Sequence, residues 1–350
     1  MTMRILITGN LGYVGPSLVR LLRHNFPSAT LVGFDCGYFA SDSVVESPSM
    51  VEQVDEQYFA DIRDISPRVL EGVDAVIHLC AISNDPIGNF VREVTFEVNL
   101  EASKRLYDYA IAKGVGQFVF ASSCSVYGKT TSGIQVSEND ELAPLTAYAS
   151  SKSEFESYAL GKQDPNLKFT SLRFPTACGW SSRLRLDLVL NDFLISAMFE
   201  GKITILSDGS PWRPLIDVED MARCMVWALN RPVSPAIRSL VINAGRSDCN
   251  YQVRDIAERV ARIVGNTNLE INDTASPDDR SYSVNFSLFE QMAGRDYLLF
   301  GLDQTIARMI TQLRFHPRDY KDFRDTNLIR LNKLRHLILN KEIDDCLRKI

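Results

Sequence analysis

A strand, a glycine-rich turn and a helix follow one another at the start of this chain, and that succession restricts the fold more than any other feature. Arg4 to Thr8 is a short apolar run, Gly9-Asn10-Leu11-Gly12-Tyr13-Val14-Gly15 is the turn, and Pro16 to Arg23 has the apolar spacing of a helix. A helix entered through such a turn presents free backbone amides and the positive end of its dipole, which suits a pyrophosphate. Pro16 fits a first helical turn, whose amides lack internal partners. Glycine turns are common, so it is the placement between strand and helix that carries the information. Thr30 to Asp35 reads as a second strand ending in an acid about twenty residues beyond Gly15, where a carboxylate can hold ribose hydroxyls; this favours NAD over NADP.

Further strands are expected at Tyr58 to Ala60, Ala75 to Leu79, Gln117 to Ser122 and Lys168 to Arg173, with helices of apolar periodicity between the later ones. Such alternation predicts an α/β fold, a Rossmann-type doubly wound parallel sheet that binds ligands beyond the carboxyl ends of its strands. After Arg173 the pattern turns irregular, through Pro175, Gly179, Trp180 and an Arg-rich turn to a helix over Asn191 to Glu200. The expected division is a dinucleotide-binding domain over 1–175, rejoined by 217–245, and a smaller mixed α/β substrate-binding portion from 176–216 and 246–324. The tail, 325–350, carries Leu328, Leu331, Leu334 and Ile338 on one helical stripe, predicted to dock on the parent domain or a sister subunit.

Tyr148 and Lys152 stand four apart in Tyr-Ala-Ser-Ser-Lys, preceded by Ser123 in Ala-Ser-Ser-Cys-Ser-Val-Tyr-Gly. Residues four apart share a helix face, so the ammonium can favour the ionised phenol and draw its pKa down from about 10. Ser123 could hydrogen-bond the same substrate oxygen. Tyr109 with Lys113 and Tyr158 with Lys162 share the spacing, but both run into helix ends and read as solvated faces. Only Tyr148 follows a Ser-rich strand end.

The net charge of −6 argues against nucleic acid as a partner. Seven scattered cysteines, without a Cys-x-x-Cys pair or histidines at ligand spacing, predict neither a disulfide framework nor a metal site. The absence of a leader pattern and of a membrane-length apolar run leads to the expectation of a cytoplasmic protein with no membrane association.

Taken together, these motifs resemble the extended short-chain dehydrogenase/reductase superfamily, in its sugar-nucleotide epimerase/dehydratase branch typified by UDP-glucose 4-epimerase. The resemblance runs from Met3 to about Arg280 and includes Asp61-Ile62 and Trp-Arg-Pro-Leu-Ile-Asp-Val-Glu-Asp at 212–220. It implies that Gly9, Asn10, Leu11, Gly12, Tyr13, Val14, Gly15 and Asp35 bind NAD, with Asp61 and Ile62 near the adenine. Leu79 and Ala81 would lie at the cofactor beyond the fourth strand, Asn99 would support the site from a helix, and Pro175 would approach the nicotinamide. Tyr148 becomes the acid/base, Lys152 its electrostatic partner and ribose contact, and Ser123 the second hydrogen-bond partner of the reacting hydroxyl. Ser123, Ser125, Thr176, Asn191, Arg213 and Arg280 would face a nucleotide-diphosphate sugar.

Two departures from the family narrow the expected chemistry. Cys124-Ser125 stands where the 4,6-dehydratases carry an Asp-Glu pair, which disfavours dehydration, and Cys124 is one place away from the catalytic cysteine of the 3,5-epimerases, so it reads as a packed side chain. Thr176 replaces the Asn usual in sugar 4-epimerases. The resemblance implies epimerisation, at C4, through a keto intermediate with retained NAD. Net dehydrogenase or ketosugar-reductase turnover is the alternative, and a non-catalytic dinucleotide-binding regulator a further one. It also implies a homodimer formed through helices within 90–113 and 146–161.

Overall fold

The computed structural model describes residues 2–45, 53–83, 85–130, 134–162, 164–234, 237–272, 281–318, 320 and 322–350. Seven strands form one sheet: β1 (Arg4–Thr8), β2 (Thr30–Asp35), β3 (Glu56–Phe59), β4 (Ala75–His78), β5 (Gln117–Ser123), β6 (Lys168–Phe174) and β7 (Ser239–Asn243). Their spatial order is β3-β2-β1-β4-β5-β6-β7, parallel throughout. The order reverses at β1, whose neighbours are β2 and β4, and an open α/β sheet binds its ligand in the crevice at that point.

Burial explains the strand sequences. Every residue of β4 and β6 is buried, as expected for parallel strands covered on both faces. Along β1 the side chains alternate between two cores: Ile5 and Ile7 pack with Leu18, Leu22 and Met225, whereas Leu6 packs with Val32, Val76 and Phe118. The edge strand β3 lies two residues earlier than expected at its start. Phe59 is 63% exposed there, so no apolar alternation marks the boundary.

Helix α1 (Gly15–Asn25) follows the turn, and α2 (Ala147–Lys162) carries the Tyr-Lys pair. β7 pairs in register with β6, Ser239 opposite Phe169 through Asn243 opposite Arg173, so the main sheet recruits a strand from beyond residue 176. A separate core of Leu186, Leu190, Leu194, Ile203, Ile256 and Ile306 packs around short pairings such as Lys202–Ile205 with Asn268–Ile271.

The tail docks on its own chain. Helix α3 (Arg330–Leu339) buries Leu334 and Leu337, together with Ile343 and Leu347, against Ile87, Val91 and Val94. Leu328, expected on the same stripe, packs into the other core beside Leu186. Among the described residues no helix is long and apolar enough to cross a membrane, and no cluster of His, Cys, Asp and Glu could hold a metal.

Candidate active site

A cavity of about 1360 Å³ opens along the carboxyl edge of the sheet. Single-ligand pockets span roughly 300–1,000 Å³, so this one has room for two ligands.

At one end lie Gly9, Gly12, Tyr13, Val14 and Asp35. Gly9 has φ +77°, and a Cβ there would stand 2.7 Å from the Cys80 amide nitrogen. A Cβ on Gly15 would stand 1.8 Å from the Asn10 carbonyl oxygen, so the turn closes on itself only if that residue is glycine. No side chain caps α1, which leaves its first amides to an outside anion. Asp35 accepts from the Leu11 amide at 3.1 Å and the Gly37 amide at 2.8 Å, tying β2 to the turn. Burial pushes its pKa up and those amides oppose the shift. Each carboxylate oxygen keeps acceptor capacity for a ribose hydroxyl. Asp61 and Ile62 also line this end. The Asp61 carboxylate is clasped by Arg63, at 2.6 Å from Nη2; burial raises its pKa, but Arg63 prevails and holds it below the usual value. A backbone cradle of this shape, an uncapped helix and a carboxylate at the second strand end fit a dinucleotide.

Tyr148, Lys152 and Ser123 line the same cavity, as do Pro175, Thr176 and Ser125. Lys152 is 2% exposed, and its ammonium donates to the Ala121 carbonyl at 2.8 Å and lies 5.6 Å from the Tyr148 ring centroid. Burial lowers its pKa to about 8, against the pull of Cys80 and Glu156. Ser123 Oγ accepts from both the Ser125 amide and the Ser125 hydroxyl, at 3.2 and 2.9 Å, so its own O–H can point onward to a substrate oxygen. The two other Tyr-Lys pairs lie outside the cavity wall: Lys113 pairs with Glu71, and Tyr158 and Lys162 both bind Asp108. His78, held between Thr8 and Ser103, is buried and driven down to about 3, so it stays neutral.

Not every expected residue reaches the cavity. Asn10 turns its amide to Gln57 at 2.7 Å, and Leu11 and Gly15 shape the turn from behind. Asn99 acts from a distance, its amide group bonding both the amide and carbonyl of Ile82, at 2.8 and 3.0 Å. Asn191 also lies outside the cavity lining: it is fully buried, with bonds to the Gly179 amide, the Tyr13 hydroxyl and the Arg185 carbonyl. Arg213 lines the cavity beside Tyr282, and Arg280 lies outside the described residues. Cys124 and Cys178 are buried thiols bonded to the carbonyls of Arg173 and Ile216, and burial raises both. Thr146, Arg185 and Arg330 stand in the wall without having been anticipated. Arg185 had a faint signal in the Arg-rich turn; Arg330 is far along the chain and had none.

A model described as the NAD dependent epimerase/dehydratase family matches residues 5–245. The chain belongs to that family. Its members are NAD-dependent enzymes, and NAD is the cofactor of this one. Among curated relatives, an uncharacterized UDP-glucose epimerase, YtcB of Bacillus subtilis, is 28% identical over 243 residues, covering 66% of this chain and 73% of the relative. A UDP-glucose 4-epimerase of Lactobacillus helveticus is 24% identical over 91% of this chain and 100% of its own length. Among solved structures, MoeE5 in complex with UDP-glucuronic acid and NAD superposes with a TM-score of 0.75 at 24% identity, covering 89% of this chain and 99% of that one. At that identity the likeness speaks for the fold.

Proposed function

We propose that this family member epimerises a nucleotide-diphosphate sugar at C4, keeping NAD bound between turnovers. The observation that carries the reading is that Tyr148, Lys152 and Ser123 all line one cavity, which has room for a second ligand beside a dinucleotide. Curated relatives named as UDP-glucose 4-epimerases support it.

Gly9, Gly12, Tyr13, Val14, Asp35, Asp61, Ile62, Leu79, Ala81, Lys152 and Pro175 would hold the cofactor. The nicotinamide, when bound, supplies reversible hydride acceptance. Tyr148 takes the proton of the sugar hydroxyl and later returns it, which requires a phenol pulled toward working pH by a nearby positive charge. Lys152, fixed on the Ala121 carbonyl, supplies that charge. Ser123 holds the same oxygen through its hydroxyl, which the two donors from Ser125 orient. Ser125, Thr176, Arg213 and Tyr282 line the remaining space for the nucleotide sugar. The position after Ser123 holds the buried Cys124 thiol, bonded to a carbonyl, where water elimination would call for a carboxylate. The helices Ala102–Ala112 and Ala147–Lys162, joined by Tyr158 and Lys162 on Asp108, are the proposed homodimer surface. Light scattering that shows only monomer at micromolar concentration would refute that surface.

The test is incubation of the purified protein with UDP-glucose, UDP-N-acetylglucosamine or UDP-glucuronic acid, followed by chromatography and absorbance at the wavelength of reduced nicotinamide. Formation of the 4-epimer without net NADH is the expected result. Stoichiometric NADH accumulation would replace the reading with a dehydrogenase, and absence of any turnover with a non-catalytic binding role.

A further inference from the structure

Arg330, the first residue of α3, brings to the cavity wall a cation that the chemistry above does not use. It is 4% exposed. Its guanidinium lies 4.0 Å from the Phe39 ring centroid, and Nη2 donates to the Arg183 carbonyl at 3.3 Å. Nη1 is buried without a hydrogen-bond partner among the described residues, and its ion-pair partner, Asp42 Oδ2, lies at 3.8 Å, beyond hydrogen-bond reach. Arg185 adds a second positive charge nearby, itself engaged by Asp187 at 2.9 Å. Burial, with repulsion from Arg185, lowers the Arg330 pKa to about 10, still far too high for neutralisation near pH 7. Asp42 also pairs with Lys333 at 3.4 Å, so one carboxylate serves two cations, and the buried Nη1 donor, without a hydrogen bond, is open to a further anion.

The position of Arg330 identifies the anion. Its guanidinium lies between Phe39, four residues past Asp35, and the Arg183 carbonyl, two residues past Ser181, whose hydroxyl donates to the Tyr13 carbonyl of the glycine turn at 2.7 Å. The glycine turn opposite contains no cation. A dinucleotide running from Asp35 to Tyr148 would have its bridging diphosphate in the middle stretch. We propose that Arg330 binds that diphosphate, and that the C-terminal segment 330–347 is thereby part of the cofactor site, closed over the adenosine half.

The rest of the tail is built for this. Leu347 is 5% exposed and lines the cavity beside Leu334. Its carbonyl accepts from the Tyr38 hydroxyl at 2.8 Å and from Arg63 Nη2 at 3.1 Å, while Arg63 Nη1 holds the Cys346 carbonyl at 2.9 Å. Leu347 has φ +54°, a left-handed conformation that a bulky residue adopts only when its surroundings impose it. Arg63 thus clasps Asp61 in the cavity wall and the tail at once.

The proposal rests on the placement of the dinucleotide given above, and the experiment separates the two. Full-length protein stripped of nucleotide is titrated with ADP-ribose, adenosine and UDP, as wild type, Arg330→Leu and Arg330→Lys. Loss of a charge-assisted hydrogen bond predicts about 10- to 100-fold weaker ADP-ribose binding by Arg330→Leu, partial rescue by Arg330→Lys, and unchanged adenosine and UDP affinities. Unchanged ADP-ribose affinity, or a loss confined to UDP, overturns the proposal. If wild type itself fails to bind ADP-ribose, the dinucleotide placement falls instead. Hydrogen exchange on the wild type supplies a readout independent of variant folding: ADP-ribose should slow exchange across residues 330–339, and indifference of that helix to ADP-ribose overturns the proposal.

Discussion

Lys152→Met should make the protein more stable while disabling it. In the folded chain Lys152 is 2% exposed, and its pKa falls from 10.5 to about 8 because burial disfavours the charge. At ~1.4 kcal/mol per pH unit, holding this ammonium inside costs about 3 kcal/mol at neutral pH. Its bond to the Ala121 carbonyl, lost on substitution, offsets about 1–2 kcal/mol of the gain. Methionine has a similar length and no charge, so the variant should gain about 1–2 kcal/mol. The sign follows from linkage: the folded pKa lies below the unfolded one, so wild type binds fewer protons folded than unfolded between pH 8 and 10.5 and grows more stable across that window. Above it the wild-type penalty is gone, and the advantage of Lys152→Met should shrink as the pH passes from about 8 toward 10.5. Urea unfolding of nucleotide-free wild type and variant at pH 7, 8, 9 and 10 measures this. Turnover should drop at least ~100-fold, the scale of lost acid-base support. A variant less stable than wild type at pH 7, or a stability difference that does not narrow with pH, would refute the account of a strained, buried ammonium.

Tyr148→Phe should retain NAD and nucleotide-sugar binding yet lose about 10³-fold in kcat, whereas Tyr158→Phe, on a hydroxyl held by Asp108, should leave kcat unchanged; steady-state kinetics on both decides. Gly15→Ala would force a Cβ to within 1.8 Å of the Asn10 carbonyl oxygen, so the turn must open: copurifying NAD should disappear, and thermal unfolding should reveal at least ~2 kcal/mol of lost stability. Glu156→Gln removes the charge that Arg173 contacts at 2.8 Å in a pair less than a tenth exposed; calorimetry should show a loss of about 3–5 kcal/mol, largely recovered when Arg173→Met is added.

The seven-stranded parallel sheet was legible because buried parallel strands leave continuous apolar runs, as in Ile5-Leu6-Ile7 and Ala75-Val76-Ile77, and because the glycine turn marks which strand begins the nucleotide half. β3 was misplaced because an edge strand with Phe59 in solvent needs no apolar pattern. The resemblance places Asn191 where a helix meets a nucleotide, and only packing shows its amide folded inward onto Tyr13 and Arg185. The identical spacing in Tyr148/Lys152 and Tyr158/Lys162 shows the limit plainly. Spacing puts both residues on one face of the helix, but only the packing of α2 against β5 turns Lys152 onto the Ala121 carbonyl and leaves Lys162 on Asp108.

By itself, then, the order of residues determined the sheet and its opening glycine turn and singled out the trio proposed to react, because each depends on neighbours within a few positions or on a local periodicity. The tail was different. That Arg330 would share a cavity with Gly9, or that Arg63 would reach the Leu347 carbonyl across 284 positions, has no local signature. Such contacts arise only when the apolar face of α3 closes on Ile87, Val91 and Val94, bringing a distant charge to a buried place that local sequence could not specify.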